Sequence, residues 1–226
     1  MKITVLTIAP EEFAGFLSAH MIKRAIDTGA LEIAVKDIRE YADGSFRHID
    51  EKPYGGGGGM ILRCEPVLRC LQAVKNECGG VTAALTPRGE QFTQDMAKEL
   101  AGMQHLILIC GHFEGMDERI YHHVDREISI GDYILTGGEL PAQVVINAVS
   151  RLLPGVLRDG RAEEESFENG LLEYPQYTKP AEYEGEAVPE VLLSGDHEAV
   201  RKWREQAARE LTERKRPDIY QGELAN

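Results

Sequence analysis

The residues of this chain with the clearest capacity for chemistry offer backbone more than side chain. Cys110-Gly111-His112-Phe113-Glu114-Gly115-Met116-Asp117-Glu118-Arg119 and Ser129-Ile130-Gly131-Asp132-Tyr133-Ile134-Leu135, the latter running on to Gly137-Gly138-Glu139-Leu140-Pro141, are glycine turns bracketing a nucleoside-sized space. Glycine lets a ligand approach main-chain donors and acceptors with no Cβ in the way, and Gly131 and Gly137-Gly138 can adopt positive φ cheaply. Leu106-Ile107-Leu108-Ile109 reads as a buried strand. Gly111 therefore falls at a strand's carboxyl end, where open α/β sheets place ligands. Leu85-Thr86-Pro87-Arg88-Gly89 ends another strand in the same way, although an ordinary β-turn explains it equally well.

Other clusters carry weaker signals. Gly55 to Gly59, framed by Pro53-Tyr54 and Met60-Ile61-Leu62, lacks the serines of a flexible spacer and suits close approach to a phosphate or a partner chain. No Gly-Lys-Ser/Thr follows it, which excludes a P-loop nucleotidase at motif level. His112, His122 and His123 invite a metal reading, but the adjacent pair cannot share one helix face and no third ligand lies at zinc spacing, so no metal site is expected. Cys64, Cys70, Cys78 and Cys110 form no Cys-x-x-Cys pair and are read as buried, reduced thiols.

The 226 residues suffice for one large domain with a small appendage. The formal net charge of −13 has the wrong sign for gripping phosphates through the overall field, so a nucleic-acid partner needs a local basic patch. Arg201, Lys202, Arg204, Arg209, Arg214, Lys215 and Arg216 could supply one, as could Arg47 and Lys52; interleaved acids make a salt-bridged helix the plainer reading of the first group. With neither a signal-length apolar stretch nor a membrane span in the sequence, a cytoplasmic location and no membrane partner are expected.

Periodicity predicts strands at Ile3–Leu6, Leu31–Val35, Val81–Leu85, Leu106–Ile109 and Glu127–Ser129. Helices are predicted over 11–26, 66–74, 91–100, 117–122, 140–153 and 198–212. The alternation implies an α/β fold, a mostly parallel sheet with helices on both faces. Residues 1–157 form that domain, 158–185 an irregular linker or active-site loop, and 186–226 a small helical domain.

Taken together, the glycine motifs, Pro53-Tyr54-Gly55-Gly56-Gly57, Ser150-Arg151-x-x-Pro154-Gly155-Val156-Leu157, Tyr174-Pro175-Gln176-Tyr177-Thr178 and Val191-Leu192-Leu193-Ser194-Gly195 resemble the bacterial tRNA (guanine-N1-)-methyltransferase family of the SPOUT superfamily. The resemblance spans nearly the whole chain. It implies a C-terminal deep trefoil knot in the α/β domain, which ordinary topology rules would not suggest. It further implies an obligate homodimer with shared active sites, no DNA partner, and S-adenosyl-L-methionine-dependent methylation of N1 of the guanosine 3′ of the anticodon, position 37 of tRNA. Mg2+ is permitted by the resemblance, with no dedicated ligand cluster in the sequence.

Carried over by motif, the co-substrate residues are Leu85, Thr86, Pro87, Gly89, Gly111, Phe113, Glu114, Gly115, Ile130, Gly131, Asp132, Tyr133, Ile134, Leu135, Gly137, Gly138 and Pro141. The implied catalytic pair is Arg151, near guanine O6, and Glu165. Here the chain departs from its family, whose general base is the Asp of an Asp-Ser-Phe motif, whereas this chain has Glu165-Ser166-Phe167. The extra methylene keeps the carboxyl group but demands a loop retreat of comparable length. Glu163 and Glu164 are adjacent substitutes. Ala84 stands where relatives often carry an aromatic residue. Two other readings follow: a ribose 2′-hydroxyl methyltransferase on the same scaffold, and a non-catalytic RNA-binding or cofactor-sensing dimer disabled by the Asp-to-Glu change.

Overall fold

Leu106 to Cys110 is fully buried without interruption, the pattern of a strand covered on both faces. In the computed structural model, which describes residues 1–44, 47–157 and 165–220, this strand lies at the middle of a five-stranded parallel sheet. The first elements are β1 (Lys2–Thr7), α1 (Phe13–Leu17), α2 (His20–Asp27) and β2 (Glu32–Asp37). A two-stranded ribbon, β3 (Asp50–Glu51) and β4 (Ile61–Leu62), precedes α3 (Cys64–Cys78), β5 (Val81–Gln91), α4 (Gln94–Ala101), β6 (His105–Cys110) and α5 (Glu118–Tyr121). β7 (Arg126–Ser129) and α6 (Glu139–Arg151) follow. Strand order is β2-β1-β6-β5-β7, and every pairing is parallel.

Alternation along β6 divides the core. Leu106, Leu108 and Cys110 pack with residues of α2, α4 and α6 on one face, while Ile107 and Ile109 pack with those of α3 and α5 on the other. Helices therefore cover both faces, as the βα rhythm predicts.

Two local expectations need correction. The helix expected over 11–26 is broken, because Ala19 is extended (φ −62°, ψ 139°) and starts a new helix at His20. The apolar spacing of Phe13, Phe16, Met21 and Ile22 is helical, but no residue type there announces the break. Second, Cys78 is exposed, while Cys64, Cys70 and Cys110 are buried; all four are free thiols. Burial pushes the Cys70 thiol up to about 12 and that of Cys110 well above its usual range, so both stay protonated.

The chain divides into two compact units, Met1–Arg158 and Asp159–Asn226. The second contains a hairpin of β8 (Glu182–Tyr183) and β9 (Glu186–Ala187), then α7 (Glu190–Leu193) and α8 (His197–Lys215). Asp196 caps α8 by accepting from the N–H groups of Glu198 and Ala199. Of the candidate basic patch, Arg201 pairs with Glu205, Lys202 with Glu198 and Arg216 with Asp218. Much of that helix surface is thus internally neutralised. Among the described residues, no helix is long and apolar enough to cross a membrane.

Candidate active site

A bulge within β5 meets the loops that follow β6 and β7, which parallel strands deliver to one edge of the sheet. Leu85 to Gly89 do not end a strand as expected, since β5 resumes its pairing with β7 at Glu90 and Gln91. The bulge and the two loops enclose a cavity of about 350 Å3, within the range of small-molecule sites. Its lining takes in Leu85, Thr86 and Pro87, then Gly111 and Phe113 to Gly115, then Ile130, Gly131, Tyr133 to Leu135, Gly137, Gly138 and Pro141. Gly89 and Asp132, expected among them, do not line it. Gly89 instead packs its Cα against the backbone of Glu127 and Ile128. His112, Met116, Tyr121, Ile128, Ser129 and Thr136 also line the cavity. Ile128 and Ser129 end β7, a position the strand boundary itself could have flagged; Tyr121, on α5, carries no such signal.

The loops after β6 and β7 are stitched together by backbone. The Gly138 N–H donates to Gly111 O at 2.7 Å, and His112 bridges Gly137. Positive φ is found at Gly131 (144°) and Gly115 (140°), whereas Gly138 sits at φ −83° in the ordinary helical region. Space, not φ, requires glycine at 138. Phe113 carries the strain instead, with φ 61° at a non-glycine residue.

Beneath the loops lies a buried carboxyl group. Glu139 is 1% exposed and begins α6, where the helix N-terminus favours an acidic side chain. The Thr7 hydroxyl donates to Glu139 Oε1 at 2.6 Å and accepts from the Ala9 N–H at 2.9 Å. The other oxygen faces His112 Nδ1 at 3.6 Å. One side chain thus connects β1, the Gly111 loop and α6.

The glycine run is joined to the same site. The Glu114 N–H donates to Met60 O at 3.0 Å and the Leu62 N–H to Gly115 O at 2.9 Å, while Gly59 packs against the Glu114 side chain. Tyr54 at the head of that run is fully exposed. Asp117 caps α5 by accepting from the Arg119 N–H, and the Arg119 guanidinium holds its carboxyl below the usual range.

The implied catalytic pair falls in different units. Arg151 ends α6, half-buried. Glu165 opens a tight loop in the second unit, where its carbonyl accepts from the Glu168 N–H, the Phe167 N–H donates to Leu171 O and Ser166 Oγ accepts from the Glu173 N–H. That loop is fastened to α8: Thr212 Oγ1 accepts from the Leu172 N–H at 2.8 Å, and Arg204 stacks over Tyr174. Glu163 and Glu164 lie outside the described residues. Among the described residues no group of three or more His, Cys, Asp or Glu is placed to hold a metal ion.

Comparison with known proteins agrees with the motif set. The sequence model of the family described as tRNA (Guanine-1)-methyltransferase TrmD matches residues 1–222. A relative from Moorella thermoacetica named tRNA (guanine-N(1)-)-methyltransferase is 55% identical over 97% of this chain and 90% of its own length. Relatives of the same name from Geobacter sulfurreducens and Desulforudis audaxviator are each 50% identical, over 100% and 97% of this chain and 94% and 89% of their own. A cavity walled by glycine loops at the strand ends, and a match from end to end, place this chain in the tRNA (guanine-N1-)-methyltransferase family.

Proposed function

We propose that this chain transfers the methyl group of S-adenosyl-L-methionine to N1 of the guanosine 3′ of the anticodon, position 37 of tRNA. The observation that carries the reading is the cavity of about 350 Å3, lined by the glycine-bearing loops after β6 and β7 and by the apolar residues Leu85, Ile128, Leu135 and Pro141. Such a lining suits a purine and ribose, which need a few fixed hydrogen bonds and flat apolar contact.

In the reaction, the bond from guanine N1 to the methyl carbon forms as the carbon–sulfur bond breaks. The sulfonium leaves as the neutral thioether S-adenosylhomocysteine, and the N1 proton passes to the Glu165 carboxylate. A carboxylate is a weak base for this proton, so the charge that develops on O6 needs a second group. Arg151 supplies it, its guanidinium stabilising the oxyanion in the transition state.

The same proposal includes a knotted chain and a homodimer. The knot rests on the family resemblance; Leu85 and Glu90 of β5 both pair with Ile128 of β7, so the ladder beside that strand carries an inserted segment. Supporting the dimer, Ile134 is 82% exposed, Leu140 55% and Val144 44%, an apolar stripe on the outer side of α6 and its preceding loop. A partner chain would cover it and bring its own Glu165 loop to a neighbouring cavity.

The deciding experiment measures transfer of labelled methyl from S-adenosylmethionine to two unmodified tRNA transcripts, one with G and one with A at position 37. Label on the G transcript alone, mapped to N1, is the expected result. Label on ribose, or none on either transcript, would overturn the reading.

A further inference from the structure

We infer that Arg88 is a positioning residue for the co-substrate pocket, locking the Thr86–Gly89 bulge and the Tyr121 ring into one wall. The inference deepens the proposed function and rests on its assignment of the cavity to S-adenosylmethionine.

The wall is an irregularity in the sheet. Because Leu85 and Glu90 share Ile128 as partner, residues 86–89 are inserted between two pairings, as in an enlarged β-bulge. Thr86 and Pro87 of this insertion line the cavity, and Arg88 does not. Its guanidinium instead reaches two carboxylates on separate elements. Nη1 donates to Glu118 Oε2 at 2.6 Å and Nη2 to Glu118 Oε1 at 3.1 Å, on α5; Nε donates to Glu127 Oε2 at 2.6 Å and Nη2 to Glu127 Oε1 at 3.1 Å, on β7. The flat face of the same group stacks on Tyr121, 3.6 Å from the ring centroid. Tyr121 lines the cavity. One side chain therefore holds the bulge, β7, α5 and a pocket aromatic in fixed relation.

Only arginine can do this, since its planar fork serves two carboxylates edge-on while leaving a face for an aromatic ring. The pairing is visible in the charges: Glu127 and then Glu118 hold the guanidinium well above its usual range, and Arg88 holds the Glu118 carboxyl below its own.

Exposure decides where the effect appears. The side chains of Arg88, Glu118 and Glu127 are 44%, 65% and 30% exposed, and pairs so wetted contribute little to global stability. What they restrict is the local freedom of a bulge and a ring that a ligand must find in place, and freedom lost only on binding weakens affinity. Arg88 thus acts on ligand affinity far more than on melting.

The test is calorimetric titration of S-adenosylmethionine without RNA, on the wild type, Arg88→Ala, Arg88→Lys, the Glu118→Gln/Glu127→Gln pair, and that pair combined with Arg88→Ala. We expect Arg88→Ala to raise the dissociation constant about three- to tenfold, with a melting shift within about 3 °C. Arg88→Lys should fail to restore affinity. In the double-glutamine background, Arg88→Ala should cost less than half as much in free energy as in the wild type, because the residue acts through those carboxylates. Unchanged affinity in Arg88→Ala, including the case in which Arg88 serves only an RNA phosphate, would overturn the inference, as would an equal penalty in both backgrounds. A wild type that binds no S-adenosylmethionine would instead remove the pocket assignment itself. Should Arg88→Ala fail to fold, Arg88→Lys and the glutamine pair carry the comparison, with wild-type affinity in both as the overturning result.

Discussion

A Cβ placed on Gly138 would stand 2.6 Å from the Cα of Cys110 and 2.8 Å from the N of Gly111. Both are main-chain atoms at the end of a fully buried strand, so neither can swing away. Gly138→Ala should therefore push the loop after β7 off the loop after β6 and break the hydrogen bond between them. We expect a loss of about 1–3 kcal/mol in stability, the usual range for overpacking, together with weakened S-adenosylmethionine binding, read by urea denaturation and calorimetry. An alanine variant with wild-type values in both would show that the loops part without cost.

Glu139 makes the opposite kind of test, a deletion. Its removal leaves the Thr7 hydroxyl without its acceptor in a fully buried position, and orphaned buried polar groups cost about 1–3 kcal/mol. Glu139→Ala should lower the urea midpoint by an amount in that range. Glu139→Gln, which can still accept from Thr7, should recover more than half of it. Equal losses in the two variants would mean that volume, not the hydrogen bond, is what matters at 139.

These two residues mark how far the sequence could be read. β1 and β6 are legible as near-continuous apolar runs, the mark of strands covered on both faces, α6 because burial on one face writes a helical period into the chain, and the cavity loops because glycines cluster after β6 and β7. The two-residue strands β3, β4, β8 and β9 are not, since no periodicity fits in so short a run. Nor is the reason for Gly138: positive φ and close approach both select glycine, and only coordinates separate them. Tyr121 reaches the cavity through the fold of α5 and the reach of Arg88, contacts between positions 33 residues apart that no local pattern encodes. The implied role of Glu165 came from motif resemblance, because an exposed-looking acidic run has no signature that separates a base from a solvated surface.

His105, at the opposite end of β6 from the cavity, predicts a pH dependence of folding. It is 7% exposed, its Nε2 lies 2.9 Å from Thr4 Oγ1, and burial lowers its pKa from the usual value. A depressed histidine pKa means that the unfolded chain takes up the proton first. The stabilising contribution is thus complete above about pH 6.5 and is lost as pH falls from there through the folded value. Lys2 and Glu32 near the ring pull in opposite directions, Lys2 lowering and Glu32 raising the value. Melting temperatures between pH 7.5 and 5 should fall more steeply for the wild type than for His105→Gln; parallel curves would refute the assignment.

Leu140 and Val144 lie four residues apart on the outer face of α6, both exposed, while Val145, Ile146 and Val149 face the core. An apolar pair with this spacing is what a helix presents to a partner. Replacing both by Asp should convert the proposed dimer to monomer in sedimentation or light scattering while leaving the fold intact by circular dichroism. A wild type that sediments as a monomer would remove the shared active site from the proposal.

Glu165 is the carboxylate that the motif resemblance assigns as base, and its variants separate chemistry from geometry. If its carboxylate accepts the N1 proton, Glu165→Gln keeps the shape and removes the base, so single-turnover methyl transfer should drop by about a hundredfold or more, with S-adenosylmethionine affinity unchanged. Arg151→Ala should also slow transfer, by about 2.7–4 kcal/mol of transition-state stabilisation if it behaves like a lost oxyanion donor. Glu165→Asp discriminates geometry from chemistry. The loop that carries residue 165 is held to α8 through Leu172 and Thr212, so it cannot simply advance to recover the length of a methylene. Aspartate should therefore be slower than glutamate here. An aspartate variant as fast as the wild type would mean that the loop adapts, and an active glutamine variant would move the base to another residue.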